Sequence, residues 1–177
     1  MNDLTGSSGR FDVLARAVNA ALFISHGVRE DSVIFLHLMG GEGPSRRVVF
    51  DGSKLRGVRP DERSIVGQIK SVIREPVPPA GRMVEVSEGI SHSGGGLGHT
   101  LDEWRRDGLQ CYILDADGDS GFTPLDGADV GFVISDDQPF SEEELAVMDG
   151  MGGISLGKDW LQGHSCISIL HHIMDGG

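Results

Sequence analysis

Cysteine is nearly absent from this chain. Cys111 and Cys166 are the only two among 177 residues, too few for a disulfide scaffold, and free thiols are expected. No apolar run reaches the roughly 20 residues of a membrane-spanning helix, so no membrane partner is expected. The opening stretch MNDLTGSSGR is polar and holds no apolar signal core. These absences predict a cytoplasmic protein. Base is also scarce in one part of the chain. Residues 110–177 hold one basic residue, Lys158, against 13 acids, whereas residues 1–109 hold 14 of each. The whole net charge of -12 therefore lies in the C-terminal part. That acidity suits solubility by itself. It also means that an anionic partner such as RNA has to dock on the N-terminal half.

Hydrophobic content of 38% with 24% charged residues describes a globular chain, and its length fits one domain, 1–177. No internal repeat or linker interrupts it. Residues 11–26 carry Phe11, Leu14, Val18, Leu22 and a row of alanines at helical spacing, with Gly27 as the stop. SVIFLHLM (32–39) and RRVVFDG (46–52) read as neighbouring buried strands. RPDERSIVGQIKSVIR opens on Pro60 with acids in its first turn and continues as an amphipathic helix. RMVEVS (82–87) is a further strand.

SHSGGGLGHT (91–100) reads as a mobile loop, because its glycines lack the spacing of a dinucleotide fingerprint or a P-loop. TLDEWRRDG is a short helix. LQCYILDADG and DVGFVISDD are strands. Ser141 with Glu144 forms a capping box that starts another helix. GISLG is the last strand and HSCISILHHIMD the last helix. Alternating helices and strands predict an α/β protein with a mostly parallel sheet, and such sheets bind ligands at the carboxyl ends of their strands. Here those ends read ILDADG, VISDD and ISLGKDW.

Several side chains invite chemistry. Arg29 in GVREDS carries a planar fork suited to a phosphate, and Asp31 is a carboxylate able to accept a proton. On spacing alone, a solvated turn with a local ion pair accounts for both more simply. Arg46, Arg47, Lys54, Arg56, Arg59 and Arg63 form a basic run suited to an RNA backbone. Cys166 sits on an apolar helix, where a thiol is usually a small buried hydrophobe. His164 lies two positions away and would not face it. His164, Cys166, His171 and His172 match no common zinc spacing, so no metal is expected.

Read together, HGVREDSVIFLHL, FDGSKLRGVRPDERS, YILDADG, FVISDD and ISLGKDWLQGHSCISILHHIMD resemble the archaeal tRNA pseudouridine N1-methyltransferase family (TrmY), within the SPOUT class of knotted RNA methyltransferases. The resemblance runs in family order across most of the chain. It implies a SPOUT-like sheet flanked by helices with a C-terminal trefoil knot, and a homodimer that buries the apolar last helix. The implied activity is S-adenosylmethionine-dependent methylation of N1 of pseudouridine in tRNA, at T-loop position 54. A non-catalytic RNA-binding homologue, or the same chemistry on ribosomal RNA, is the alternative.

By the same resemblance, Arg29 and Asp31 act near the target base. Leu114, Ser135, Leu156, Gly157, Leu161 and Cys166 surround S-adenosylmethionine, with Lys158, Asp159 and Trp160 adding main-chain groups. Ordinary core packing explains Leu114, Leu156 and Leu161 without the resemblance. Three departures stand out. The family's first strand precedes the first helix, and this chain starts almost at that helix. Asp137 replaces a common His, and Lys158 a common Pro.

Overall fold

The computed structural model describes residues 11–40, 43–123, 127–135 and 139–176. Asp137 lies outside them, as do the ten residues before the first helix. The chain divides into two compact units, residues 1–96 and 97–177, each considered by itself.

In the first unit, helix α1 (Phe11–Leu22) buries Ala15, Val18, Ala21 and Leu22 along one face. It stops four residues before the expected end. The chain turns back there as a small hairpin, β1 (Phe23–Ile24) with β2 (Gly27–Val28). The Arg29 N–H then donates to the Leu22 carbonyl at 2.7 Å, satisfying a helix-end acceptor. Gly27 thus belongs to the hairpin and is not the helix stop.

Strands β3 (Val33–Leu38), β4 (Arg46–Asp51), β5 (Val84–Ser87) and β6 (Ile90–Gly94) form a sheet in the order β3-β4-β6-β5. Every pairing in it is antiparallel. The expected mostly parallel sheet is therefore wrong for this half of the chain. Continuous apolar runs signal burial on both faces and say nothing about direction. Here β3 joins β4, and β5 joins β6, through links too short for a parallel crossover.

The expected mobile loop at 91–100 is also overturned. Its first part is β6, an interior strand whose Ile90, His92, Ser93 and Gly94 are buried. Helix α2 (Glu62–Arg74) buries Ile65, Ile69 and Val72. Its N-cap is Asp61, whose carboxylate accepts the Ser64 N–H at 2.8 Å. Pro60 stands just outside the helix it was expected to open.

The second unit begins with α3 (Leu97–Arg106), which takes the end of the glycine-rich stretch, Leu97 to Thr100. Here the parallel expectation holds. Strands β7 (Gln110–Asp119), β8 (Val130–Val133) and β9 (Gly152–Ile154) are parallel in the order β8-β7-β9. Helix α4 (Glu142–Val147) starts with the predicted capping box: Ser141 Oγ accepts the Glu144 N–H, and Glu144 Oε2 accepts the Ser141 N–H at 2.8 Å. Leu97, Leu101, Val133 and Met148 are the buried centre of this unit, with Trp104, Ile113 and Phe140 packed around them. Helix α5 (Gly163–Met174) closes the chain. Among the described residues, no helix is long and apolar enough to cross a membrane.

Candidate active site

With β7 in the middle, the chain passes from β7 to β8 on one side and then to β9 on the other. That reversal is a topological switch point, the place beyond the carboxyl ends of the strands where open α/β sheets bind their ligands. Parallel pairing puts all three exits at the same end. Leu114 is the register partner of Ile154, and Ile113 of Val133. Ser135 follows β8 by two residues, and Leu156 follows β9 by two. Leu114, Ser135 and Leu156, predicted from different parts of the sequence, are thus brought to one end of one sheet, and all three are half-buried.

The β7 exit is irregular. Leu114 and Asp119 both pair with Ile154, so residues 115–118 leave the ladder and return to it. The β9 exit is irregular too, as expected of a loop offering main chain to a ligand. Gly157 has φ +115° and no heavy atom within 4 Å of where a Cβ would stand. That conformation favours glycine. Lys158, Asp159, Trp160 and Leu161 are exposed, the Trp160 side chain almost wholly, at 96%. The backbone N–H groups of Leu156 and of residues 158–161 find no protein acceptor among the described residues. Obligatory donors left open beside half-buried leucines suit an adenosyl group, which needs apolar walls and polar edges.

Cys166, in the first turn of α5, is half-buried, and burial pushes its thiol pKa up, although a backbone hydrogen bond pulls the other way. A raised pKa means little thiolate at neutral pH, so the side chain suits a wall better than a nucleophile. No group of three or more potential metal ligands occurs among the described residues.

Arg29 and Asp31 belong to the first unit. They lie on the turn between β2 and β3, with Arg29 half-buried and Asp31 exposed. Asp31 accepts the Ser32 hydroxyl at 3.0 Å, which leaves carboxylate lone pairs facing solvent. This turn is pressed against the exit of β4: the Gly52 N–H donates to the Ser32 carbonyl at 3.0 Å, and a Cβ at Gly52 would lie 1.9 Å from the Arg29 carbonyl oxygen. The Arg29–Asp31 turn and the start of the basic run are therefore one platform.

The basic run itself needs correcting. Arg46 and Arg47 are buried, at 7% and 0% exposure. Arg46 donates to the carbonyls of Val72 and of Glu75, the latter at 2.7 Å, while Arg47 donates to Ser93 Oγ at 3.0 Å. They anchor the sheet to the end of α2 and to β6, and cannot track a nucleic acid. Lys54, Arg56, Arg59 and Arg63 remain at the surface. Lys54 pairs with Asp51 at 3.1 Å. The Asp51 carboxyl is raised by burial, but its bonds with Ser53 and Lys54 outweigh this and hold it below the usual range.

Two residues at the exits escaped the sequence reading, Ser155 and Gly118. Ser155 links the β7 and β9 exits through its hydroxyl. A Cβ at Gly118 would stand 2.6 Å from the Gly153 backbone. The signal for Gly118 was its place in LDADG, which reads as a turn.

The family model described as "Putative SAM-dependent RNA methyltransferase" matches residues 1–176. A tRNA (pseudouridine(54)-N(1))-methyltransferase of Haloarcula marismortui is 36% identical, over 99% of this chain and 87% of its own length. The enzyme of the same name from Methanospirillum hungatei is 34% identical, over 98% and 87%. Among solved structures, Archaeoglobus fulgidus Nep1 bound to S-adenosylhomocysteine shares the fold, with a TM-score of 0.67 at 17% identity over 95% of this chain and 71% of its own. The chain belongs to the family of S-adenosylmethionine-dependent RNA methyltransferases.

Proposed function

We propose that this protein methylates N1 of a pseudouridine in tRNA, at T-loop position 54, using S-adenosylmethionine. The observation that carries the reading is the β8-β7-β9 switch point with its irregular 155–162 loop, in a chain that matches relatives named for this reaction along nearly its whole length. Leu114, Leu156, Leu161 and Cys166 supply apolar walls. Ser135 leaves room, and the main chain of Gly157, Lys158, Asp159 and Trp160 supplies polar edges. The cofactor, when bound, supplies a methyl group on a cationic sulfur.

The protein's own tasks are to orient the base and to take one proton. Arg29 clamps a phosphate beside the target, and Asp31 accepts the N1 proton. Pseudouridine has an N1–H where uridine has its glycosidic bond, so pseudouridylation comes first. Lys54, Arg56, Arg59 and Arg63 hold the RNA backbone.

The two units act as one SPOUT-like domain, with α5 threaded as a trefoil knot, and the molecule works as a homodimer. Leu170 is the one α5 residue that is fully buried, while Ile167, Ile169 and Ile173 are half-buried. A second copy would cover them. Light scattering should report twice 18.9 kDa, and a monomer at micromolar concentration would count against the dimer.

The decisive assay is labelled methyl transfer to tRNA with and without prior pseudouridylation. Labelling of the pseudouridine form alone is expected. Equal labelling of both removes the pseudouridine assignment. Binding of both without labelling favours a non-catalytic RNA-binding protein, and labelling of ribosomal RNA alone moves the same chemistry to that substrate.

A further inference from the structure

Ser155 is the first residue beyond β9 and is half-buried. Its backbone N–H donates to the Asp119 carbonyl at 2.8 Å, closing the end of the β7 excursion. Its hydroxyl donates to the Ala116 carbonyl at 3.0 Å, in the middle of that excursion. The same oxygen accepts the Gly157 N–H at 3.2 Å, and the Gly157 carbonyl oxygen lies 3.4 Å from it. One hydroxyl, used as donor and acceptor together, therefore ties the first strand exit to the third. Directly beneath, Gly118 runs so close to β9 that a Cβ would stand 2.6 Å from Gly153 C and 2.7 Å from Ile154 N. Two irregular segments are thus in backbone contact and fastened by a single side chain.

We propose that Ser155 is a positioning residue for S-adenosylmethionine: by clasping Ala116 and Gly157 it presets the spacing between the two loops that receive the cofactor. Gly157 is the residue of the 155–162 loop with the most backbone freedom, because it has no side chain and a positive φ. A loop that must be ordered on binding weakens the complex, and a loop ordered beforehand does not. The clasp removes that ordering cost without touching the ligand. Alanine at 155 loses donor and acceptor at once, whereas threonine keeps both.

The inference rests on the cofactor lying at the strand exits, and the test separates the two claims. Binding of S-adenosylhomocysteine to the full chain is measured by calorimetry for the wild type, Ser155→Ala, Ser155→Thr and Gly157→Val. Melting temperature without ligand and kinetics toward pseudouridylated tRNA are measured alongside. The expected result is a Kd for Ser155→Ala raised roughly 5- to 30-fold, the range for one or two lost hydrogen bonds. KM for S-adenosylmethionine should rise in step, with kcat at saturating cofactor within about twofold, since the chemical step itself is not touched. Ser155→Thr should recover most of the affinity.

Wild-type affinity in Ser155→Ala would overturn the proposal, because the clasp would then preset nothing. So would a fall in kcat with KM unchanged, or an equal loss in Ser155→Thr together with a large drop in ligand-free melting temperature, which would mark ordinary structural damage. Failure of the underlying reading looks different: the wild type does not bind S-adenosylhomocysteine, or Gly157→Val binds it as tightly as the wild type. Either result would move the cofactor elsewhere and take the clasp's role with it.

Discussion

Gly52→Ala should uncouple the two binding functions of this protein. Gly52 is buried at the exit of β4, where a Cβ would meet the Arg29 carbonyl oxygen at 1.9 Å, the Arg29 carbonyl carbon at 3.0 Å and the Ser32 carbonyl oxygen at 2.9 Å. Ordinary contact begins near 3.4 Å, so the Arg29–Ser32 turn has to retreat by about 1.5 Å. No flexible side chain is available to yield, since every one of these atoms is backbone. Overpacking of this kind costs about 1–3 kcal/mol. Losing the Gly52–Ser32 hydrogen bond at 3.0 Å adds about 1 kcal/mol. At roughly 2–4 °C per kcal/mol for a chain of this size, the melting temperature should drop by about 4–16 °C. With Arg29 and Asp31 in their proposed roles, turnover should fall as well, because a displacement of about 1 Å in a reacting group costs on the order of 100-fold. Binding of S-adenosylhomocysteine, proposed to lie at the exits of the other sheet, should be unchanged at temperatures where the variant is folded. Gly57→Ala is the control. It has a positive φ of 71° but open space around the added methyl, so it should cost about 1 kcal/mol and leave turnover near normal. A wild-type melting temperature in Gly52→Ala would refute the packing argument. A lowered melting temperature with full turnover would refute the roles of Arg29 and Asp31.

Three further outcomes are expected. Gly67→Ala should raise the melting temperature slightly, because Gly67 sits inside α2 with nothing within 4 Å of the added methyl, and alanine in a helix interior is worth about 0.5–1 kcal/mol over glycine; a decrease would mean that the methyl is not in open space. Folding stability should fall as pH drops below about 6.5, because burial first, and then the Arg46 guanidinium, hold the His92 pKa down despite the opposing pull of Glu75. The unfolded chain then binds more protons than the folded one, so the slope of stability with pH is positive, and His92→Gln should flatten it in urea melts taken from pH 7 to pH 5. Asp31→Asn should keep tRNA and S-adenosylhomocysteine affinity while losing turnover, and Arg29→Ala should weaken tRNA binding and reduce its salt dependence; full turnover in Asp31→Asn would assign the proton to another acceptor.

Much of this fold can be read from local pattern. The faces of α1 and α2, the Ser141–Glu144 box and the parallel strands that end in the second unit all lie where spacing or motif predicts. These features are decided within a few residues of chain, by side-chain periodicity and backbone capping. Strand β6 is different. Ile-Ser-His-Ser-Gly is polar and small, and by composition it belongs in a loop. It becomes an interior strand because its neighbour β4 brings two arginines at the matching register, Arg46 opposite Gly94 and Arg47 opposite Ser93. Arg47 satisfies the Ser93 hydroxyl, and Arg46 hydrogen-bonds His92 Nδ1 at 3.3 Å. A buried polar strand is stable only when its partners are supplied from elsewhere, and partners distant in sequence leave no local trace.

The same fact accounts for the misread basic run. Six cations between residues 46 and 63 look like one electrostatic feature, but two of them lie in a strand and four in the loop and helix that follow. An arginine on a central strand has to bury its fork, and burial is tolerable only if carbonyls and hydroxyls receive it. Val72, Glu75 and Ser93 do so. The remaining four follow a glycine, Gly52, whose missing side chain lets the Arg29–Ser32 turn pack against the exit of β4. Charge counted along the chain therefore overstates the exposed basic surface by half, six residues against four, while the small residues Gly52, Gly118 and Ser155, which carry no charge, set how closely the segments around them pack.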